Sequence, residues 1–71
     1  MKKDTMTLVI NGKREKLPVF GSLEALLKHY GLNRDIVMVE KNGKIISRES
    51  FAETVLQDGD RLEIVHFVGG G

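Results

Sequence analysis

Apolar and polar residues change rhythm several times along this chain, and each change marks an element. Met6 to Ile10 is an apolar, partly β-branched run that leads into Asn11-Gly12, a pair suited to a tight hairpin turn because both of its positions take positive φ. A return strand over Lys13 to Phe20 is expected, charged in its first half. Pro18 within it cannot donate to a ladder, which argues for a sheet edge or a strand end. Residues 1 to 5, ahead of this hairpin, are expected as a loose arm.

After Gly21 the period becomes helical. Ser22 stands where an N-cap belongs, Leu23, Leu26, Leu27 and Tyr30 share one face, and Gly31 supplies a left-handed stop, so the spacing predicts a helix over Leu23 to Tyr30. The acid of a full capping box would fall at Ala25, leaving the cap itself and the Glu24 charge in the first turn. Ile36 to Glu40 then reads as a strand, and Asn42-Gly43 turns it into Lys44-Ile45-Ile46. Ser47 to Gln57 stays open between a helix, since Phe51, Val55 and Leu56 have helical spacing, and a loop with one helical turn. Asp58-Gly59-Asp60 is a tight turn, followed by an alternating strand over Arg61 to Phe67.

Alternation makes that last strand two-sided. Leu62 and Ile64 point one way and Val65 and Phe67 the other, and a sheet covered by one helix can bury only one pair. We assign Leu62 and Ile64 to the core, which makes Val65 and Phe67 an exposed apolar patch of the kind that marks an interaction site. The alternative for Phe67 is that it folds onto the domain's own edge. Strand groups around one helix give a single α+β domain over residues 1 to 71, with the final strand inserted beside the first in a mixed sheet.

Composition narrows the function more than it names it. Seventy-one residues leave room for a small core and no deep catalytic pocket. The absence of cysteine removes disulfides, thiolate metal sites and a thiol nucleophile, and is compatible with a reducing cytoplasm. Lys13, Arg14 and Lys16 do not make a nucleic-acid surface, because net charge is +1 and Glu15 interrupts the run. No apolar stretch approaches the length of a membrane span, and no secretory h-region follows Lys2-Lys3.

Candidate chemistry among the side chains is thin. His29 falls on the helix away from the stripe and reads as solvated, while His66, between Val65 and Phe67, reads as partly buried or as a partner contact. The hydroxyls of Ser22, Ser47, Ser50, Thr5, Thr7 and Thr54 lack a local base, so capping and turn roles account for them. Asp58 and Asp60 flank Gly59 without the other ligands of a calcium loop. The chain does not read as an enzyme.

What remains is the terminus, Val68-Gly69-Gly70-Gly71. Glycines carry no Cβ and pass through a channel too narrow for other residues; fully extended, four residues beyond Phe67 reach about 13 to 14 Å. Such a tail suits delivery of a carboxylate into another protein's active site. A frayed end or an expression scar is the bland alternative. A carboxylate becomes electrophilic when ATP converts it into an acyl-adenylate, and a second enzyme has to supply the ATP site.

Three segments give the chain a resemblance to a known family: Ile10-Asn11-Gly12, Val39-Glu40-Lys41-Asn42-Gly43, and the block from Asp58 to Gly71. Over residues 6 to 71 the chain resembles the ubiquitin-like β-grasp proteins, and among them the ThiS family of bacterial sulfur carriers in thiamin biosynthesis. The resemblance implies a β-grasp fold with four to five strands, one main helix and a C-terminal glycine tail over 68 to 71. It implies that the Gly71 carboxylate, supported by the slender Gly70, is adenylated by a ThiF-type enzyme using ATP and magnesium, as a glycyl adenylate. Conversion to a thiocarboxylate (1-thioglycine) follows, with sulfur originating from a cysteine desulfurase. A ThiG-type thiazole synthase then accepts the sulfur. No bound cofactor, nucleic acid or membrane is implied, and the location is cytoplasmic. Val65, Phe67, Val68 and Gly69 are the expected partner-binding residues. Gly69 stands where such tails often carry another small residue, and Phe51 where a larger aromatic is common. Two other readings stay open: a carrier serving molybdopterin synthase, whose longer proline-containing tail is absent here, and an inert β-grasp interaction module.

Overall fold

The computed structural model describes residues 4–67. Strands β1 (Thr5–Ile10), β2 (Lys13–Pro18), β3 (Val37–Lys41), β4 (Lys44–Ile46) and β5 (Arg61–His66) form one sheet in the order β2-β1-β5-β3-β4. Both Asn-Gly turns are made as expected, with φ of 52° and 81° at Asn11 and Gly12, and 52° and 87° at Asn42 and Gly43. They close the antiparallel β1–β2 and β3–β4 hairpins, Ile10 opposite Lys13 and Lys41 opposite Lys44. β5 then enters between the hairpins, parallel to β1 and antiparallel to β3.

Helix α1 (Leu23–His29) covers one face of this sheet. Its N-cap is Ser22, whose Oγ accepts from Ala25 N at 3.2 Å, and Gly31 takes φ of 70° beyond its end. Leu23, Leu26 and Leu27 pack with Met6, Leu8, Leu17, Val37, Val39 and Leu62. Tyr30 does not continue that stripe. It forms the C-cap and is 41% exposed, because the helix stops one residue earlier than the periodicity suggests.

Other boundaries move for local reasons. Thr5, expected in the loose arm, pairs with Pro18 in the first ladder; residues 1–3 of that arm lie outside the described range. β2 stops at Pro18 rather than Phe20, on the outer edge of the sheet, where no partner requires the missing N–H. Ile36 belongs to a 3-10 turn, Arg34–Ile36, and not to β3; Asn33 caps that turn by accepting from Asp35 N. The open segment 47–57 contains a 3-10 helix, Arg48–Glu53, that seats Phe51 in the core at 1% exposure. Leu56 is buried as well, whereas Val55 is 61% exposed: the 3-10 helix has ended before it, so the helical spacing does not carry that far.

Candidate functional site: the last strand and its exit

β5 is the strand that leads into the glycine tail, and three local devices fix it. The Asp58-Gly59-Asp60 turn, with Gly59 at φ of 89°, hooks onto β1. Thr7 N donates to Asp58 Oδ1 at 2.6 Å, Gly59 N to Thr7 O at 2.7 Å, and Val9 N to Asp60 O at 2.9 Å. These bonds set the parallel register in which Val9 and Ile10 face Arg61 and Leu62.

The Asn42 carboxamide holds the start of β5. Its Oδ1 accepts from Arg61 N at 2.9 Å and its Nδ2 donates to Asp60 Oδ1 at 3.0 Å. Asp60 itself is 7% exposed; its other oxygen accepts from Gln57 N at 2.9 Å and faces Lys41 Nζ at 3.8 Å. Hydrogen bonds and an opposite charge satisfy that buried carboxylate, which offsets its desolvation.

Further along β5, the Asn11 carboxamide takes both backbone groups of Ile64, accepting from its N at 2.7 Å and donating to its O at 3.2 Å. A side chain thus imitates one more residue of β1. Asn11, Asn42 and Asp60 read in the sequence as turn formers alone, and these further roles were missed there. The signal was Asn at the first position of both turns, because a carboxamide, unlike the carboxylate of Asp, carries a donor and an acceptor side by side.

The two faces of β5 separate as expected. Leu62 is fully buried and Ile64 packs partly against the core, while Val65 and Phe67 are each 51% exposed. Phe67 N donates to Ile36 O at 2.8 Å and extends the β3 ladder, while its half-exposed ring borders a groove with Met38, Ile45, Ser47 and Arg48. Met38 lies directly opposite Val65 and, with Ile45 on β4, enlarges the apolar patch on the face away from α1. On that face Glu40 and Glu63 also stand directly opposite one another. Of the expected site residues, Val65 and Phe67 are both half-exposed; Val68, Gly69, Gly70 and Gly71 lie outside the described residues.

On the other face, Ile10, Glu15, Tyr30, Leu32, Ile64 and His66 line a shallow groove. Burial, and secondarily the Glu15 charge, pushes the Tyr30 phenol above its ordinary value. His66 is exposed rather than partly buried, since it sits at the last position of β5, beyond the end of α1. His29 is exposed too, although not simply solvated: its ring contacts Phe20 at 5.1 Å and Tyr30 at 5.2 Å between centroids. Among the described residues, no group of three or more His, Asp or Glu side chains is placed to hold a metal ion. No helix among them is long and apolar enough to cross a membrane.

A mixed five-stranded sheet grasping one main helix, with the last strand at its centre, defines a ubiquitin-like β-grasp domain. The chain belongs to the ThiS family, whose model matches residues 7–71. It is 48% identical over 65 residues to the sulfur carrier protein ThiS of Bacillus subtilis, covering 90% of this chain and 98% of that one. It is 44% identical over 66 residues to a thiazole synthase of Paramagnetospirillum magneticum, covering 93% of this chain but only 20% of the synthase. The crystal structure of a thiamine biosynthesis protein (ThiS) from Geobacter metallireducens superposes with a TM-score of 0.77 at 35% identity, covering 93% of this chain and 100% of that one.

Proposed function

We propose that this protein is a sulfur carrier for thiazole formation in thiamin biosynthesis, with Gly71 as the carrying residue. Its carboxylate oxygen attacks the α-phosphorus of ATP on a ThiF-type activating enzyme, which holds the nucleotide and magnesium, and pyrophosphate leaves. Sulfur originating from a cysteine desulfurase as a persulfide, and reduced to the sulfide level by a thiol that is oxidised to a disulfide, attacks the acyl carbon, AMP leaves, and a thiocarboxylate remains. A thiazole synthase takes the sulfur from it. The domain is a co-substrate throughout, and the setting is cytoplasmic.

The observation that carries this reading is the central, doubly paired β5, after which the sequence continues as Val68-Gly69-Gly70-Gly71. Family membership and the likeness of this chain to part of a thiazole synthase support the same chemistry and the same acceptor. Val65, Phe67, Met38 and Ile45 form the docking surface that both enzymes use, and Val68 and Gly69, next in the sequence, are assigned to the same contact. The like-charged Glu40–Glu63 pair beside them is unfavourable in the isolated domain and complements a basic rim on the partner.

ATP–pyrophosphate exchange with the activating enzyme tests the mechanism. The parent chain supports exchange, and intact mass shows one oxygen replaced by sulfur once a sulfur source is added. Adding a residue after Gly71 turns the reacting carboxylate into an amide and abolishes both signals. Deleting Gly71 shortens the reach by about 3.5 Å and has the same effect. Gly70→Val fails by collision in a narrow channel, with the fold intact. Full exchange from the extended chain would overturn the carrier mechanism.

A further inference from the structure

The Asn11 carboxamide lies far from the tail in sequence and close to it along β5. Ile64, which it clasps through both backbone groups, is three residues before Phe67. The backbone ladder between β1 and β5 runs only through Ile10 and Leu62, closed by Asn11 N donating to Leu62 O at 2.8 Å. Among the described residues, Ile64 is therefore the last position of β5 held from the β1 side, and a side chain holds it. Beyond Ile64 the strand is held from the other side, by the pairing of Val65 and His66 with Met38 and Val37 and by the Phe67 N–H on Ile36. An extended segment paired along one edge can swing about that edge, and the Asn11 clasp sits where such a swing would begin.

We propose that Asn11 is a positioning residue for the glycine tail: it locks the β5 backbone at Ile64 and so sets the direction in which the tail leaves the sheet toward the activating enzyme. The inference rests on the carrier reading above. A carboxamide is the group the position requires, since it must accept from one backbone group and donate to its neighbour. It also tolerates the left-handed conformation, φ of 52°, that the hairpin turn imposes. Asp keeps only the accepting half and sets a negative charge against the Ile64 carbonyl, while Gly keeps the turn and removes the clasp.

Docking and delivery then separate kinetically. The docking patch, Val65 with Met38 and Ile45, lies on the far face of the sheet and gives affinity. Tail direction affects only how often a docked carboxylate reaches attack geometry. Loss of two exposed hydrogen bonds is expected to lower kcat for exchange about three- to tenfold, with KM within about twofold.

The experiment compares Asn11→Gly and Asn11→Asp with Asn42→Gly, which loosens the start of β5, leaves Ile64 alone and removes a donor from buried Asp60. Each variant is assayed by urea unfolding, by kcat and KM for ATP–pyrophosphate exchange, and by amide hydrogen exchange. Both Asn11 variants should lose kcat at unchanged KM and lose protection at the Ile64 amide. The loss of protection should be smaller in Asn11→Asp, which keeps the acceptor for that amide. Asn42→Gly should unfold at lower urea yet keep the parent kcat while folded. Parent kcat in folded Asn11→Gly, or an equal kcat loss in Asn42→Gly, would overturn the positioning role. Absence of exchange from the parent chain would instead refute the carrier reading, and unaltered Ile64 protection in Asn11→Gly would refute the clasp by itself.

Discussion

Replacing Val65 with Asp puts the two faces of β5 to the test. Val65 is 51% exposed and lies opposite Met38, itself 39% exposed, so the folded domain loses only part of one valine's burial. Complete burial of such a side chain is worth about 1.5–3 kcal/mol, and half of that is about 1 kcal/mol. The poorer strand propensity of Asp adds about 1 kcal/mol. A domain of this length is stable by about 4–10 kcal/mol, so Val65→Asp remains folded. Docking is another matter. Loss of a central apolar anchor costs about 1–2 kcal/mol, and a carboxylate stripped of water without a partner about 1–3 kcal/mol more. Affinity for the activating enzyme and for thiazole synthase should fall by at least about tenfold, and on the order of a hundredfold if the new charge is fully desolvated. Leu62→Asp, on the same strand at 0% exposure, provides the contrast: it forces a charge into the core and should abolish folding. Urea unfolding followed by far-UV circular dichroism reports the fold, and calorimetric titration with each enzyme reports affinity. A folded Val65→Asp that binds both enzymes like the parent would refute the patch, and a folded Leu62→Asp would refute the sidedness of β5.

Leu26, at 0% exposure beneath the sheet, should cost about 2–5 kcal/mol when truncated to Ala, read as a fall in the urea midpoint; an unshifted midpoint would contradict its burial. Asp60→Ala leaves the Gln57 N–H, the Asn42 carboxamide and Lys41 without their acceptor and should cost about 1–3 kcal/mol, with Asp60→Asn recovering part of it in the same assay. Tyr30 is the chain's one tyrosine, so absorbance titration reports it directly: its midpoint should lie above the ordinary 10.0 and move down in Glu15→Gln. Because the folded phenol holds its proton longer than the unfolded one, this contribution to stability is complete below pH 10.0 and is lost as pH rises through the folded value. A midpoint at or below 10.0 would contradict the desolvation.

Much of this protein is determined locally, and its sequence is enough to read that part. Asn11-Gly12 and Asn42-Gly43 specify hairpins because few other residues take positive φ at both turn positions, and Ser22 with its leucine stripe specifies α1 because cap and period agree. Alternation along Arg61–His66 puts Leu62 and Val65 on opposite faces before any partner strand is known, and the sheet that receives β5 decides that Leu62 is the buried one. Tertiary structure decided what neighbours in sequence cannot. Phe51 is buried and Val55 exposed because the segment is a 3-10 helix whose end is set by packing against α1, not by its own spacing. Tyr30 leaves the stripe because the helix ends in a cap there. The sides of β5 are closed by Asn11 and Asn42, 53 and 19 residues from the backbone groups they hold, and those pairings exist only once β5 has entered between the two hairpins. A turn residue's spare hydrogen-bonding capacity is visible in the sequence; its partner is a property of the assembled sheet.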